Sequence, residues 1–307
     1  MRSYTGKLLR INLSNRTSHI EDIPEQLMKD FLGGRGLAVK YLYSELNAGV
    51  EPLGPDNKLL FMMGPLGATT GMSVSRMAVV TKSPLTGCIA KSVMGGNFGA
   101  FLKFAGFDGI IVEGEAKKPV YIHIEKDKVS FLDADELWGL DTEQTQAKLR
   151  QRHGASTQAA CIGPGGEKLV RYAIIISERR CGGRTGIGTV MGAKKLKAIA
   201  VNSAGPLSVY DPPRFKSLVR GQIEGLKTSP RRIQMTNFGT SYLTLGFEKL
   251  GIFPVKNFQE GRLEGVEKIG EEELAKIKVK NDGCYGCMTK CGQVRRVTEG
   301  LYAGALS

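Results

Sequence analysis

Three cysteines near the end of the chain have a spacing that could bind a metal. Cys284, Cys287 and Cys291 lie in the segment NDGCYGCMTKCGQVRR. The Cys-x-x-Cys-x-x-x-Cys pattern lets three thiolates converge from one irregular loop, and the glycines of the segment permit the dihedral angles that such a loop needs. Zinc sites favour paired Cys-x-x-Cys units, whereas iron–sulfur proteins often combine three close cysteines with a distant fourth. The pattern therefore favours an iron–sulfur cluster, with zinc or unligated thiols as alternatives.

The three other cysteines are the candidates for a fourth ligand. Cys161 lies in an apolar strand and is typical of a buried small hydrophobic residue. Cys88 follows a turn and Cys181 lies in a Gly-rich segment, and neither has a spacing that marks a ligand. Six cysteines, three of them bunched together, fit a metal site better than a disulfide framework.

Glycine and basic residues occur together in four segments of the N-terminal part. These are FLGGRGLA, GMSVSRM with Arg76, SVMGGNFGAFLKFAGFDG with Gly95 and Gly96, and SERRCGGRTGIG with Arg180 and Arg184. Glycine lets backbone N–H groups point at one anion, and arginine adds a bidentate grip on phosphate oxygens. Each segment alone is equally typical of a tight turn, but together they favour a large phosphate-bearing ligand. GGRTGIG lacks the spacing of a dinucleotide-binding fingerprint.

The charge of the chain also predicts an anionic partner. Lys and Arg number 43 against 30 Asp and Glu, which gives a net charge of +13. Nucleic acid, a phosphorylated cofactor or an acidic protein would each satisfy this excess. The alternative is that an acidic remainder of the protein, or another subunit, balances it.

The elements that must position these residues fall into two regions. Short strands rich in Val and Ile, joined by Gly-rich turns, are predicted up to about residue 205. Helices are predicted there over PEQLMKDFL, LAVKYLYSEL and TEQTQAKLRQRHG, and after the boundary over PPRFKSLVRGQIEGLK, SYLTLGFEKLG and EEELAKIK. We therefore predict an α+β chain with a β-rich domain over residues 1–205, a mostly helical segment over residues 206–307, and no tandem repeat.

Neither a membrane span nor a signal peptide is predicted. No apolar run reaches the roughly 18 residues that a membrane helix needs, and the N-terminus MRSYTGKLLRINLS alternates like a strand. These features predict a cytoplasmic protein without a membrane partner. The ending TEGLYAGALS lacks a helix stop, so we expect a truncated helical domain and a fragment that is inactive alone.

With these segments together, the sequence resembles the aldehyde:ferredoxin oxidoreductase family of tungsten-pterin enzymes. The resemblance is carried by GKLLRINLS, FLGGRGLA, GPLGATTG…SRMAVVTKSPLTG, GGNFGAFLKFAGFDGIIVEGEAKKPVYIHI, IGPGGEKLVRYA, GRTGIGTVMGAKKLKAIAV, GIFPVKNFQEG and CYGCMTKCGQVRR. It implies a first domain of two β-sheets that forms a base for a bis-pterin cofactor, followed by mostly helical domains. The implied cofactor holds tungsten or molybdenum, and a 4Fe–4S cluster lies close by.

The resemblance also assigns roles to residues of this chain. Cys284, Cys287 and Cys291 match three cluster ligands, and the fourth ligand of the family lies far downstream. Arg76 matches an arginine that bridges cofactor and cluster. Two loops match pterin contacts, and two backbone carbonyl groups match ligands of a Mg²⁺ ion that joins the pterin phosphates. The loop residues are Gly95, Gly96, Asn97, Arg180, Gly183, Arg184 and Thr185, and the carbonyl groups belong to Val93 and Cys181.

Two positions depart from the family pattern. Asn97 replaces an aromatic residue, and Val93 stands where a relative has Asn, a change that a backbone carbonyl ligand survives. The implied activity is oxidation of an aldehyde to a carboxylic acid, with electrons passed to ferredoxin or to a partner iron–sulfur subunit of an oligomer. The alternatives are a related tungsten subunit that reduces an aromatic thioester ring, and a basic zinc-binding nucleic-acid module. The pterin phosphates and an acidic ferredoxin would explain part of the positive charge without nucleic acid.

Overall fold

Two six-stranded β-sheets occupy the N-terminal part of the chain, and helices with one small hairpin follow. The computed structural model describes residues 3–205 and 207–306. The chain divides into two compact units, Met1–Pro212 and Pro213–Ser307. Pro206, where the sequence predicts the domain boundary, lies outside the described residues. The predicted α+β class, a two-sheet region followed by a helical one, is confirmed.

The first six strands form the first sheet, in the order β2-β1-β6-β3-β4-β5. They are β1 (Lys7–Asn12), β2 (Thr17–Asp22), β3 (Leu59–Met63), β4 (Met77–Lys82), β5 (Ile89–Met94) and β6 (Gly109–Glu113). The helices between them are α1 (Glu25–Phe31), α2 (Gly34–Glu45) and α3 (Phe98–Phe104). β1 and β6 pair in parallel, and the other neighbours are antiparallel.

The next six strands form the second sheet, in the order β11-β10-β9-β12-β7-β8. They are β7 (Val120–Glu125), β8 (Lys128–Asp133), β9 (Gln158–Cys161), β10 (Ile175–Ser177), β11 (Arg180–Gly182) and β12 (Leu196–Val201). The helices here are α4 (Thr142–His153), α5 (Pro164–Glu167) and α6 (Ile187–Ala193). β7 and β12 pair in parallel, and the other neighbours are antiparallel.

The second sheet repeats the topology of the first. Read from its other edge, its order is β8-β7-β12-β9-β10-β11, so each strand corresponds to the strand six places earlier in the chain. The register agrees with this match, because Met62 pairs with Ala78 in the first sheet and Cys161 pairs with Ile176 in the second. The two halves share only one short stretch of similar sequence, GPLG at residues 64–67 and GPGG at residues 163–166. The prediction of no repeat is therefore wrong for the fold.

The apolar core lies between the two sheets and on their outer faces. β3 is buried along its whole length. Its residues Leu59, Phe61 and Met63 join the core that both sheets share, whereas Leu60 and Met62 pack with residues of α1 and α2 on the outer face. A third cluster lies on the outer face of the second sheet, where α4 packs.

Several predicted helices are confirmed, with caps that explain their ends. α4 begins at a capping box in which the Asp141 side chain accepts a hydrogen bond from the Gln144 N–H, and it ends at Gly154 with a φ of 100°. The sequence does not predict α3 or α6. Both have seven residues that are mostly buried, so they lack the polar face that makes a helical period visible.

Among the described residues from 207 to 306, the regular structure is helices and one two-stranded β-hairpin, joined by irregular segments. The helices are α7 (Pro212–Lys227), α8 (Pro230–Phe238), α9 (Thr244–Lys249) and α10 (Glu271–Lys276), with 3₁₀ turns at Gly239–Leu243 and Val266–Ile269. The hairpin pairs β13 (Lys278–Asp282) with β14 (Gly292–Arg295). Among the described residues, no helix has both the length and the apolar character needed to span a membrane.

Candidate cofactor site

Two Gly-rich turns follow the outermost strands of the two sheets, at equivalent places in the repeat. Residues 95–97 join β5 to α3, and residues 183–186 join β11 to α6. β5 and β11 also contact each other. The two segments that the family resemblance assigns to pterin binding thus belong to the same kind of strand–turn–helix unit, and the structure brings these units together.

Glu178, in the turn between β10 and β11, reaches from the second half of the repeat to the first turn. Its carboxylate accepts hydrogen bonds from the backbone N–H of Asn97 at 3.0 Å and from the Asn97 side-chain amide at 2.5 Å. Gly96 has a φ of 94°, and a Cβ atom there would lie 2.8 Å from a carboxylate oxygen of Glu178. The contact therefore requires glycine at position 96. Sequence reasoning missed Glu178, because nothing in SERR indicates where its side chain would lie.

The second turn is fixed to the body of the first unit through its backbone. The Ser83 hydroxyl donates to the carbonyl of Thr185 at 2.8 Å, and Thr185 has a φ of 69°. A Cβ atom on Gly186 would lie 2.2 Å from the carbonyl oxygen of Arg171, so only glycine fits there. Arg184 is exposed beside this turn. A fixed backbone with an exposed guanidinium group is an arrangement that suits an anion.

Arg76 lies at the same end of the first sheet as the turn at residues 95–97. The β4–β5 register pairs Met77 with Met94, so Arg76 stands opposite Gly95. Its side chain is exposed. The structure thus places Arg76 next to the first Gly-rich turn, while its predicted role as a bridge to the cluster stays a prediction.

A buried ion pair supports the loop that leads from β3 to Arg76. The ammonium of Lys103 lies 3.1 Å from a carboxylate oxygen of Asp108, and it donates to the carbonyl groups of Gly64 and Pro65 at 3.3 Å each. Burial lowers the pKa of Lys103, although the charge of Asp108 opposes that shift. The start of the loop is therefore held by an internal cation.

The two carbonyl groups predicted to bind Mg²⁺ belong to equivalent residues of the repeat. Val93 pairs with Ala78, the second residue of β4, and Cys181 pairs with Ile176, the second residue of β10. β5 and β11 are the outermost strands of their sheets, and such strands leave part of their backbone groups for other partners. Oxygen ligands of this kind suit Mg²⁺. The exposed thiol of Cys181 is not needed for this role.

The three clustered cysteines lie in the loop of the β13–β14 hairpin, within the second unit. Asp282 pairs with Gly292, so Cys284 and Cys291 lie close to the base of the loop. The N–H of Cys287 donates to the carbonyl of Cys284 at 3.1 Å, which closes a tight turn. All three cysteines are half-buried. The three thiols therefore lie on one irregular loop, and their predicted role as cluster ligands stays a prediction.

Contacts with α8 and the turn after it hold this loop. The carbonyl of Thr236 accepts hydrogen bonds from the side-chain amides of Asn281 at 2.5 Å and Gln293 at 3.0 Å. A Cβ atom on Gly239 would lie 2.8 Å from the carbonyl oxygen of Cys291. The two ends of the cysteine loop are therefore anchored on the same short stretch of chain.

The cysteines differ in their suitability as metal ligands. In residues 3–205 and 207–306, no three His, Cys, Asp or Glu side chains are arranged to hold a single metal ion. A 4Fe–4S cluster takes four thiolate ligands, and the anchored loop carries three thiols, so the assignment of this loop to a cluster stays a prediction. Burial raises the pKa of Cys161 to about 12, and this thiol donates to the carbonyl of Thr142. Cys161 therefore fits a buried small residue and not a thiolate ligand.

Comparison with known proteins gives matches along the whole chain. The family model for the aldehyde ferredoxin oxidoreductase N-terminal domain matches residues 8–203, and the model for domains 2 and 3 of the same family matches residues 217–305. The tungsten-containing aldehyde ferredoxin oxidoreductase of Pyrococcus furiosus is 42% identical over 296 residues, covering 95% of this chain and 49% of that protein. The aliphatic sulfonate oxidoreductase WOR-like subunit of the same organism is 33% identical over 338 residues, covering 100% of this chain and 52% of that protein.

A solved structure shares the architecture. The active-site complex BamBC of benzoyl coenzyme A reductase, in complex with 1,5-dienoyl-CoA, matches with a TM-score of 0.85 and 30% sequence identity. The match covers 98% of this chain and 48% of that chain. The chain thus spans about half the length of the relatives it matches. Because a single family model covers residues 8–203, well over half of the sequence, the chain belongs to the aldehyde ferredoxin oxidoreductase family.

Proposed function

We propose that the chain is the cofactor-binding base of a tungsten- or molybdenum-pterin oxidoreductase. The observation that carries the proposal is the repeated strand–turn–helix unit, because two equivalent turns suit a ligand with two equivalent halves. In this proposal each turn contacts one pterin of a bis-pterin cofactor. The contacts are made by Gly95, Gly96 and Asn97 on one side, and by Arg180, Gly183, Arg184 and Thr185 on the other.

The charges around the turns support a doubly phosphorylated ligand. Burying two phosphate groups without compensation would be prohibitive, and arginine offsets this cost through bidentate hydrogen bonds. Arg76 and Arg184 are both exposed beside the turns. A Mg²⁺ ion held by the carbonyl groups of Val93 and Cys181 would neutralise more of the charge. The backbone N–H of Asn97 and one hydrogen of its side-chain amide bind Glu178, so in this proposal Asn97 contacts the pterin through its amide oxygen or its second amide hydrogen.

The cysteine loop would hold a 4Fe–4S cluster through Cys284, Cys287 and Cys291. When bound, the metal-pterin supplies two-electron oxidation of an aldehyde to a carboxylic acid, and the cluster supplies single-electron transfer to ferredoxin or a partner iron–sulfur subunit. Lys280, Lys290 and Arg296 are exposed on or next to the hairpin. A basic surface of this kind favours an acidic electron acceptor. We further propose a cytoplasmic location and an oligomeric assembly.

Metal analysis tests this function. We expect protein purified without oxygen to contain tungsten or molybdenum together with iron and phosphorylated pterin. Cys291→Ser should lower the iron content and leave pterin in place, because the cysteine loop and the Gly-rich turns belong to different units. Cys88→Ser, at an exposed thiol of the first unit, is the matched control and should retain iron. Zinc as the sole metal would refute the proposal and support the nucleic-acid module.

A second candidate function is reduction of an aromatic thioester ring. The observation that favours it is the similarity to the active-site complex of benzoyl coenzyme A reductase. Dye-linked assays of the assembled enzyme with small aldehydes and with a dienoyl-CoA thioester distinguish the two. Turnover of aldehydes supports the first reaction, and turnover of the thioester alone supports the second.

A further inference from the structure

Glu178 is held in position by the second half of the repeat. Its φ of 53° lies in the left-handed region, which residues other than glycine adopt rarely. The side chain of Gln146 engages both backbone groups of Glu178: the Glu178 N–H donates to Gln146 Oε1 at 2.5 Å, and Gln146 Nε2 donates to the Glu178 carbonyl at 3.3 Å. Gln146 is buried on α4. An unusual backbone conformation thus persists because a buried side chain fixes it.

The other end of this connection belongs to the first half of the repeat. Both carboxylate oxygens of Glu178 are used on Asn97, one by the backbone N–H and the other by the side-chain amide. The carbonyl of Asn97 in turn accepts from the N–H of Phe101 in α3. A continuous path therefore runs from α4 through Gln146, Glu178 and Asn97 to α3.

A carboxylate at this place is unsuited to bind the proposed ligand. It lies beside the turn that contacts one pterin of a doubly phosphorylated ligand in the proposed function, and like charges repel. The carboxylate instead makes two hydrogen bonds to Asn97, so its role is to hold the turn in position. Gly96 supports this reading, because the missing Cβ leaves the space that the carboxylate occupies.

We propose that Glu178 is a positioning residue of the proposed cofactor site, which consists of the two Gly-rich turns at residues 95–97 and 183–186. The carboxylate of Glu178 clamps the first turn to the β10–β11 hairpin and so fixes the spacing of the two turns. The identity of the ligand in this proposal rests on the proposed function. The clamp itself rests only on the contacts of Gln146, Glu178 and Asn97.

Three variants distinguish the effect of losing the clamp from the effects of misfolding and of losing the negative charge. Glu178→Gly removes the clamp and suits the left-handed backbone, so the hairpin should fold as well as before. Glu178→Gln removes the charge but keeps the clamp, because a rotated amide can accept from the Asn97 N–H and donate to the Asn97 side chain. Glu51→Ala, at an exposed loop position, is the control.

Amide hydrogen exchange of the full chain tests the clamp. Loss of a hydrogen bond to a charged acceptor should speed exchange at Asn97 by at least about tenfold in Glu178→Gly. Glu51→Ala should exchange like the wild type, Glu178→Gln should keep most of the protection because it loses only the charge, and the thermal midpoints of all variants should agree. Unchanged exchange in Glu178→Gly, or equal loss of protection in Glu178→Gln, would overturn the clamp.

Release of pterin during buffer exchange tests the positioning role. We expect Glu178→Gly to lose pterin at least about tenfold faster than wild type and Glu178→Gln. If all variants released pterin at the same rate, the positioning role would be overturned, even if amide hydrogen exchange supported the clamp. Absence of pterin from the wild type would refute the proposed function, and the exchange result alone would then decide the inference.

Discussion

Lys194 joins the two halves of the repeat, and its titration should be visible in the stability of the first unit. It lies at the end of α6, and its ammonium donates to the carbonyl groups of Gly114 at 2.9 Å and Pro55 at 3.1 Å, both in the first half. Burial is the largest influence and lowers the pKa of Lys194 to about 8, although nearby carboxylates such as Glu113 oppose it.

The direction of the effect follows from proton binding. An unfolded lysine keeps its proton up to its ordinary pKa of about 10.4, so above about pH 8 the unfolded chain binds more protons than the folded chain. The free energy of unfolding therefore rises with pH in this window. The contribution of Lys194 approaches about 1.4 kcal/mol per pH unit and sums to about 2 kcal/mol between about pH 7 and about pH 9.5.

Chemical denaturation of wild type and Lys194→Met tests this expectation. Trp138, the single tryptophan, lies in the first unit and reports its unfolding. As the pH rises through this range, we expect the free energy of unfolding of the wild type to increase by about 2 kcal/mol more than that of Lys194→Met. Lys195→Met, at the partly exposed neighbour, should keep the wild-type slope. Parallel pH profiles for wild type and Lys194→Met would refute the reasoning.

Two other predictions concern the packing of the first unit. Gly192→Ala should destabilise the first unit by about 3 kcal/mol or more, because the new Cβ atom would lie 2.0 Å from the Gly166 carbonyl oxygen. Gly165→Ala is the control in thermal melts, because a Cβ atom at Gly165 meets nothing within 4 Å. The rings of His123 and His153 stack at 3.8 Å, and burial lowers the pKa of both. The free energy of unfolding should therefore fall as the pH drops below about 6.5. In denaturation experiments His153→Gln should make this fall smaller, and a pH profile equal to that of the wild type would contradict the prediction.

The sequence predicts those features that depend on local chemistry. The helix α4 follows from its capping residues, and the loop position of the cysteines follows from their spacing and the glycines between them. Arg76 and the two Gly-rich turns lie on one connected part of the first unit, and their predicted contacts with a pterin cofactor stay a prediction. Each of these depends on residues close together in the chain.

The features that the sequence does not predict depend on pairing between distant segments. α3 and α6 are helical because the core surrounds them, and seven mostly apolar residues carry no period to indicate that. Glu178 meets Asn97, 81 residues away, only because the repeat brings β5 and β11 together. The repeat itself is hidden, because it is retained in strand order while most side chains differ.

The two halves of the repeat share a closely packed helix position and differ in where their arginines lie. Gly99 and Gly188 occupy the second position of α3 and α6, and a Cβ atom on either would lie 2.4 Å from a neighbouring atom. Both helices therefore approach a neighbour closely at this position, the Met63 side chain in the first half and the Ile174 backbone in the second. The position of Arg76, opposite Gly95, corresponds to Ile174, because Ile175 pairs with Gly182 as Met77 pairs with Met94. The second turn instead has its arginine, Arg184, within the turn itself, so the two turns share a backbone plan but place their positive charge at different positions.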